Sequence, residues 1–293
     1  MGTNYRREMY LLMVDLNDLI LRFIADSPFK VNFSRLKRHF SETYKTNSKD
    51  LKLLVSGLVQ AGELFFTSHY GSSFIELSYD RPRLVSEHVV IKPSSSSWNH
   101  SADQWVISLN RGASFGGGEH PSTRLAIQLI DVILHELNRQ SIKKSLRAID
   151  IGTGSGVLAI VAAKMGIGTV CGIDTDPCAV FEAGENVILN HLENRVNILN
   201  GDLMTSSGFF DLVIANLRAP TLMAIREILE KKMPADSILV FSGLKAEETK
   251  PLYNLYNKAG FFLFQERVEK GWAAICLARG ALLDEATPPT LRH

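Results

Sequence analysis

The sequence predicts an α/β protein with a mostly parallel sheet wrapped by helices, preceded by a small winged-helix-like domain. Three observations lead to this prediction. Short β-branched runs alternate with helical stretches over the second half of the chain, which is typical of a parallel sheet covered by helices. The last two β-rich runs are joined only by Lys270-Gly271, as in a hairpin added to such a sheet. Near the N-terminus, three helical patterns lead into two β-rich runs.

Composition limits the class of protein before any motif is considered. The 293 residues are 45% hydrophobic and 22% charged, with a net charge of +1, which gives no general attraction to nucleic acid or acidic membranes. The three cysteines form no C-x-x-C pair, so neither a zinc site nor a disulfide framework is expected. The first apolar stretch, Met9–Ile24, is interrupted by polar and charged residues and suits neither a signal peptide nor a membrane span. We expect a cytoplasmic protein with no metal site and no membrane association.

Residues 1–80 are predicted to form a winged helix-turn-helix-like domain. The first apolar stretch suits a buried helix, and a second helix starts near Ser34, whose hydroxyl fits an N-cap. A third helix follows Asn47-Ser48 with apolar residues at helical spacing and ends at Gly62. The runs LFFTS and SFIEL then form a two-stranded wing.

A linker and a second domain are predicted to follow. Residues 81–104 include the polar, serine-rich stretch KPSSSSWNHSADQ, which offers little to a core. Residues 105–293 are predicted to form the sheet domain. Its strands are the runs RAIDI, TVCGID, VNILNGD, DLVIAN, SILVFSG, FFLFQERVE and WAAICLAR.

Candidate binding residues lie where these strands end. The first strand runs into a glycine turn, DIGTGSG, and Val157 stands where a dinucleotide fingerprint needs its third glycine. The next strand ends at Asp174, whose carboxylate can accept both hydroxyls of a ribose, and the third ends at Asp202, which can accept from an adenine amino group. This set suits a nucleoside with a non-phosphate tail, and S-adenosylmethionine is that ligand. The alternative is a tight strand-to-helix turn without a ligand.

From about Val90 to Arg279 the chain resembles the ribosomal protein L11 methyltransferase (PrmA) family. The resemblance implies a class I methyltransferase fold with a seven-stranded sheet and S-adenosylmethionine as cofactor. The chain departs from the family at Gly117, Glu119 and Gly271 and in its N-terminal domain. The matching segments are SFGGGEHPST, AIDIGTGSGVLAI, CGIDTDPCAVFEAGENVILN, DLVIANLRAPTL and ILVFSGLKAEE, with AGF and Trp272 beyond.

The resemblance also implies roles for single residues. The glycine turn surrounds the methionine end of the cofactor, Asp174 binds the ribose and Asp202 the adenine. The FGGGEHPST loop folds over the cofactor, since glycines let backbone approach a ligand and let a loop open; the alternative is a flexible surface loop. The residues predicted to bind the cofactor are Phe115, Gly116, Thr123, Asp150, Gly152, Thr153, Gly154, Gly156, Asp174, Thr175, Asp202 and Asn216.

Three residues are predicted to be catalytic. By the resemblance, Asn216 lies beside the transferred methyl, where its side-chain carbonyl can accept an N–H and aim the lone pair of an amine. Glu119 and His120 are candidate bases, although His120 is better suited to anchoring the loop.

The methyl acceptor is predicted to be an amine on a protein. Because residues 1–80 do not resemble the family's substrate domain, we expect an acceptor other than ribosomal protein L11, called the ribosomal stalk protein below. One alternative is a small molecule, with dimerisation through the N-terminal domain. Another is nucleic acid bound through residues 30–52, which hold seven Lys or Arg against two acidic residues. A solvated basic face explains that charge equally well.

Overall fold

The computed structural model describes residues 16–69, 71–99, 101–110, 112, 114–139 and 145–281. The chain divides into two compact units between Arg81 and Pro82, called the N-terminal unit and the C-terminal unit. No helix in the described ranges is long and apolar enough to cross a membrane.

The part of the N-terminal unit that the structure describes contains three helices and a β-hairpin. Asn32 Oδ1 accepts the N–H of Arg35 at 2.9 Å and Asn47 Oδ1 that of Asp50 at 2.9 Å, so an asparagine caps each of the last two helices. The second helix therefore starts after Asn32 and not at Ser34. The elements are α1 (residues 16–26), α2 (Phe33–Tyr44), α3 (Ser48–Gln60), β1 (Leu64–His69) and β2 (Ser72–Leu77). Their order is the one expected for a winged helix, an assignment that stays a prediction.

This unit has its own hydrophobic core. Phe40 and Leu51, from α2 and α3, are fully buried, and Ile75 of β2 is 1% exposed. Ile75 also donates its N–H to the carbonyl of Val31 at 2.7 Å, which joins the hairpin to the segment before α2.

The C-terminal unit is built around a seven-stranded sheet, as the resemblance implied. The order is β11-β12-β10-β9-β6-β7-β8. Strand β12 pairs antiparallel with β11 and β10, and all other neighbouring strands of this sheet pair in parallel. All seven strands coincide with predicted runs. They are β6 (Arg147–Ile151), β7 (Thr169–Asp174), β8 (Val196–Asn200), β9 (Leu212–Asn216), β10 (Ser237–Lys245), β11 (Phe262–Glu269) and β12 (Trp272–Arg279).

The predicted terminal hairpin is confirmed. Glu269 pairs with Trp272 across a two-residue turn. Lys270 and Gly271 have φ angles of 51° and 78°, and two positive φ angles match the twist of a tight hairpin.

The linker predicted over residues 81–104 is wrong. Within it, β3 (Arg83–Leu84) and β4 (Val89–Pro93) join β5 (Trp105–Leu109) in a three-stranded sheet of the C-terminal unit. Val89 and Val90 are fully buried. The polar, serine-rich residues after the apolar run at residues 89–91 suggested a linker, but the run forms a strand. Burial of this run stabilises the fold, and the serines can stay exposed at little cost.

Helices cover the seven-stranded sheet. Helix α5 is buried along almost its whole length, because it lies between the sheet and other elements, and α4 packs against β10 and β12. The helices are α4 (Pro121–Arg139), α5 (Val157–Lys164), α6 (Pro177–Leu189), α7 (Ala219–Ala224), α8 (Arg226–Lys232) and α9 (Thr249–Asn257).

Candidate functional site

The glycine turn, residues 152–156, joins β6 to α5. Gly152, Gly154 and Gly156 have φ angles of 70°, 56° and 81°, in the left-handed region that favours glycine. Every backbone N–H of the turn already has a protein acceptor. These acceptors are Ile173 O (for two of them), Asp174 Oδ2, Phe115 O and Thr153 O. A dinucleotide site needs free backbone N–H groups to bind the pyrophosphate, and this turn has none left.

Asp174 ends β7 and contacts the glycine turn. Its Oδ2 accepts the N–H of Gly154 at 3.0 Å, and its Oδ1 accepts that of Asp176 at 3.0 Å. Each carboxylate oxygen keeps a second lone pair, so this half-buried side chain can still accept two hydroxyl groups. The residue predicted to bind ribose thus lies beside the turn predicted to hold the methionine end.

Asp202 lies just after β8 at the same edge of the sheet. Its Oδ1 accepts the N–H groups of Met204 and Thr205 at 2.8 and 3.1 Å, which fixes the local turn. Gly201 donates its N–H to the carbonyl of Asp174 at 2.9 Å, so the ends of β7 and β8 are tied together. Thr175, also a predicted binding residue, is exposed next to Asp174.

Asp150 is 1% exposed near the end of β6. Its Oδ2 accepts from the hydroxyl of Thr153 at 2.7 Å and from the N–H of Ala159 at 3.2 Å. Its Oδ1 has no hydrogen-bond partner among the described residues. Burial raises the pKa of Asp150 to about 6, against the lowering effect of these two hydrogen bonds. An unpartnered buried carboxylate oxygen is the acceptor that a cationic ligand group would satisfy.

The FGGGEH loop, residues 115–120, crosses the glycine turn. Ser155 donates its N–H to Phe115 O at 2.9 Å and its hydroxyl to Gly116 O at 3.1 Å. A Cβ on Gly154 would lie 2.4 Å from Phe115 O, so a residue with a side chain could not stand there without a shift. The backbone of the loop therefore lies close to the backbone of the turn, and its approach to a bound ligand stays a prediction.

The last residue of the loop and a residue in the first turn of α4 fix the loop to the start of that helix. His120 Nδ1 accepts the N–H of Ser122 at 3.2 Å and lies 2.7 Å from its hydroxyl oxygen, which is the bonding of a helix N-cap. Arg124 donates to loop carbonyls and forms an ion pair with Glu269. This bonding fits the anchoring role for His120 that the sequence favoured.

Asn216 ends β9 and faces the start of α4. Its Nδ2 donates to the hydroxyl oxygen of Thr123 at 3.4 Å. A Cβ on Gly243 would lie 3.0 Å from Asn216 Oδ1, so glycine leaves room for the amide. The structure brings together Asn216 and Thr123, two of the predicted binding residues, and leaves Oδ1 as the atom of the amide that can receive a donor.

An aromatic wall extends from the loop to β12. His120 lies edge-on to Phe115 at 5.1 Å and to Trp272 at 4.6 Å between ring centres. Lys245 Nζ lies 3.6 Å from the centre of the Trp272 ring, and the Arg218 guanidinium 5.9 Å. Attraction between these cations and the ring favours this arrangement. Sequence analysis singled out neither Lys245 nor Arg218.

One group of three potential metal ligands occurs within the described ranges: His88, Asp131 and His135. The Asp131 carboxylate is already bonded to His88, through the backbone N–H and ring Nδ1, both at 3.0 Å. The two imidazoles are stacked 4.7 Å apart at 10°, so their in-plane lone pairs do not converge on one point. The arrangement is that of a carboxylate–imidazole pair with a second imidazole stacked on it.

Sequence reasoning missed the residues that hold the segment before the loop. Glu182, Asn186 and Asn190 hydrogen-bond to backbone groups of residues 108–114. Their spacing of four places them on one face of α6 and its C-cap. Their polar character at this spacing was the sequence signal that could have found them, whereas the full burial of Asn186 is seen only in the structure.

Comparisons with known proteins show a family match over most of the C-terminal unit. The family model described as Ribosomal protein L11 methyltransferase (PrmA) matches residues 76–280. A Clostridium perfringens protein named Ribosomal protein L11 methyltransferase is 32% identical over 198 residues, 67% of this chain and 60% of that protein. A protein of the same name from Geotalea daltonii is 33% identical over 202 residues, 68% of this chain and 64% of that protein.

A solved structure confirms the class I methyltransferase fold of the C-terminal unit. The crystal structure of ribosomal protein L11 methylase from Lactobacillus delbrueckii subsp. bulgaricus aligns over its whole length with 69% of this chain, at a TM-score of 0.60 and 27% identity. This chain spans about three fifths of the length of the curated relatives, and the family match leaves out most of the N-terminal unit. The extent of that match over the C-terminal unit shows that the chain belongs to the ribosomal protein L11 methyltransferase (PrmA) family.

Proposed function

We propose that this protein is an S-adenosylmethionine-dependent methyltransferase that methylates an amine on a protein. The observation that supports this best is the polar edge of the sheet, where Asp174 contacts a glycine turn whose N–H groups are all used and Asp202 follows the next strand. The two carboxylates at this edge are acceptors, and the turn has no N–H left to donate. Acceptors suit the ribose hydroxyls, adenine amino group and ammonium of S-adenosylmethionine, whereas phosphates need donors.

The residues present fit this cofactor. Asp150, with its unpartnered buried Oδ1, is assigned to the ammonium end together with the glycine turn. Asp174 is assigned to the ribose and Asp202 to the adenine, while Phe115 and Thr123 belong to the cover over the site. When bound, the cofactor supplies a methyl group on a positively charged sulfur. The protein then has to orient a neutral nucleophile and exclude water, and orientation alone is worth up to about 7–11 kcal/mol.

Asn216 is assigned the orienting role. Its Nδ2 donates to Thr123, so the amide is held with Oδ1 available to accept an N–H from the acceptor amine. A hydrogen bond from one N–H restricts the directions that the amine lone pair can take, which favours the in-line geometry of methyl transfer.

The amine must also lose a proton before transfer. His120 Nδ1 is occupied by the cap of α4, which fits a positioning role. Glu119 is exposed on the loop, so we assign the proton to Glu119 or to solvent.

We propose that the N-terminal unit binds the acceptor protein. The curated relatives are named for ribosomal protein L11, and the family match supports a protein as the acceptor class. Since that match leaves out most of the N-terminal unit, we propose a protein other than the ribosomal stalk protein. The basic residues of 30–52 are all exposed and offer a surface of suitable charge for an acidic partner. Nucleic acid there, or a small molecule with dimerisation through this unit, is another outcome of the test below.

A cytoplasmic location is part of this proposal. All three cysteines are free thiols, which fits a reducing compartment.

Calorimetry with S-adenosylhomocysteine tests the cofactor assignment. We expect low-micromolar binding or better, and a loss of about 2–4 kcal/mol in Asp174→Ala, which removes a charged acceptor. NAD is the control ligand. Tighter binding of NAD than of S-adenosylhomocysteine would rule out the assignment.

Incubation with cell extract tests the acceptor. The enzyme and cofactor carrying a labelled methyl are added to extract, which is then separated into protein, nucleic-acid and small-molecule fractions. We expect the label in protein, outside the ribosomal stalk protein. Label mainly in the stalk protein would refute the proposed role of the N-terminal unit, and label confined to another fraction would refute a protein acceptor.

A further inference from the structure

One face of α6 forms a row of hydrogen bonds to the segment before the FGGGEH loop. Asn190 pairs with both backbone groups of Ser108: its Oδ1 accepts the N–H at 3.0 Å and its Nδ2 donates to the carbonyl at 2.7 Å. The amide thus takes the place of a neighbouring strand at the outer edge of β5.

Glu182 holds the other end of this segment. Its Oε2 accepts the N–H of Ser114 at 3.0 Å. A Cβ on Gly112 would lie 2.1 Å from the same oxygen, so the carboxylate fills the space that a side chain at 112 would need. The segment is therefore fixed next to α6 immediately before the loop begins.

Asn186 lies between these two residues and reaches further than either. It is fully buried. Its Oδ1 accepts the N–H of Asn110 at 2.8 Å, and its Nδ2 donates to the carbonyl of Ser155 in the glycine turn at 2.9 Å. One amide therefore bridges the segment before the loop and the turn.

Ser155 carries this connection on to the loop. Its N–H and hydroxyl are donated to the carbonyls of Phe115 and Gly116. The loop, the segment before it and the glycine turn thus form a closed ring of hydrogen bonds through Asn186 and Ser155. Displacement of one part requires breaking buried bonds of the others, and an unpaired buried amide or carbonyl is costly.

We propose that Asn186 is a positioning residue that couples the order of the FGGGEH loop to the glycine turn, and so to nucleoside binding. The nucleoside part rests on the proposed function, whereas the mechanical coupling does not. A ligand that fixes the turn then orders the loop, and loop order in turn raises affinity for that ligand, because coupling between two sites is reciprocal.

Hydrogen exchange and calorimetry on the full chain test this inference with two matched variants. Asn186→Asp keeps the acceptor for Asn110 N–H but loses the donor to Ser155 O. Asn190→Asp likewise keeps the acceptor for Ser108 N–H and loses a donor, and it also buries a carboxylate, but it does not contact the glycine turn.

Without ligand, we expect Asn186→Asp to lower protection in the glycine turn and in the loop together, by about 10-fold or more. Asn190→Asp should lower protection near Ser108 only. If Asn186→Asp folds poorly, Ser155→Ala, which removes one bond from the turn to the loop, should reduce loop protection in the same direction. Loss of protection at both places in Asn190→Asp, or at neither in Asn186→Asp and Ser155→Ala, would overturn the inference.

With S-adenosylhomocysteine as the probe, wild-type protein should show ligand-dependent protection of the loop. In Asn186→Asp this response should fall by about 10-fold and the Kd should rise by a similar factor, while Asn190→Asp stays within about two-fold of wild type. An equal response in wild type and Asn186→Asp would refute the coupling. Absence of nucleoside binding by wild type would refute the proposed function and leave the coupling to be decided by exchange without ligand.

Discussion

Single residues at the end of β6 and β9 carry the clearest chemical information. Asp150 is a buried carboxylate with one oxygen unpartnered and a raised pKa, and Asn216 is an amide held by Thr123 with its carbonyl available. A cationic group next to Asp150 would pair with its buried carboxylate and lower the cost of burying that charge. The Asn216 carbonyl is an acceptor that can direct an incoming N–H donor. Each residue therefore predicts a different measurement.

Asp150 should make the protein without ligand less stable as pH rises. Its pKa in the folded state, about 6, lies above the ordinary value of 3.8, so the folded state holds a proton that the unfolded chain has lost. The free energy of unfolding should fall between pH 4 and pH 6, by about 3 kcal/mol for this group. Urea unfolding at several pH values measures the slope. Asp150→Asn should lack this component, and an identical slope in both proteins would contradict the pKa.

Asn216→Ala should separate catalysis from cofactor binding. The substitution removes orientation of the acceptor and not a major cofactor contact, so affinity for S-adenosylhomocysteine should stay within a few-fold. Turnover on the true acceptor should fall by about 100-fold or more. Calorimetry and single-turnover methyl transfer give the two quantities. Full turnover by the variant would show that Asn216 does not orient the amine.

At the scale of elements, two backbone segments meet through glycine. The glycine turn follows β6, the FGGGEH loop precedes α4, and the missing side chain of Gly154 lets the carbonyl of Phe115 approach. The loop is held from both ends, by residues of α6 and by Arg124. The two segments position each other, because the carbonyls of Phe115 and Gly116 in the loop accept the hydrogen bonds that Ser155 of the turn donates.

Gly154→Ala should displace the loop and lower stability. Its φ of 56° costs alanine about 1–2 kcal/mol, and the new Cβ would meet Phe115 O at 2.4 Å. Denaturant unfolding and calorimetry should show lower stability and weaker nucleoside binding.

Gly184→Ala is the matched control for that substitution. Gly184 lies inside α6, and a Cβ there has no atom within 4 Å. This variant should gain about 0.5–1 kcal/mol from helix propensity and bind nucleoside like wild type. Equal effects of the two alanines would show that the contact with Phe115 is unimportant.

At the scale of the whole molecule, the two units have separate hydrophobic cores. One core contains buried residues of α1, α2, α3 and the first hairpin, and the other contains buried residues of the seven-stranded sheet and its helices. The family match covers the second unit and little of the first. The chain thus combines a unit that belongs to a known family with an N-terminal unit that lies mostly outside the family match.

The two cores predict more than one unfolding transition. S-adenosylhomocysteine at 100 times its Kd should stabilise the C-terminal unit by about 2.7 kcal/mol and shift only its transition. Phe40→Ala, which empties a buried position in the N-terminal unit, should lower the other transition through loss of about 3–5 kcal/mol. Calorimetric melting with and without the nucleoside measures both. A single transition that the ligand raises as a whole would contradict independent units.

Sequence alone determined the strands, their ends and therefore the polar edge of the sheet. The β-branched runs gave all seven strands of the large sheet, and Asp174 and Asp202 were located because parallel strands end at one edge. These features depend on short stretches of consecutive residues, so the local sequence pattern is sufficient to predict them.

Tertiary structure alone decided what lies between the elements. The strands β3 and β4 lie in a segment that was predicted to be a linker, and β4 pairs with β5 across the polar, serine-rich stretch that separates them, from Val89 with Trp105 to Pro93 with Leu109. The bridge through Asn186 joins groups that are 76 and 31 residues away in the sequence. Hydrogen-bond partners of this kind follow from packing, because a buried polar group bonds to whatever donor or acceptor the fold brings to it, irrespective of its sequence neighbours.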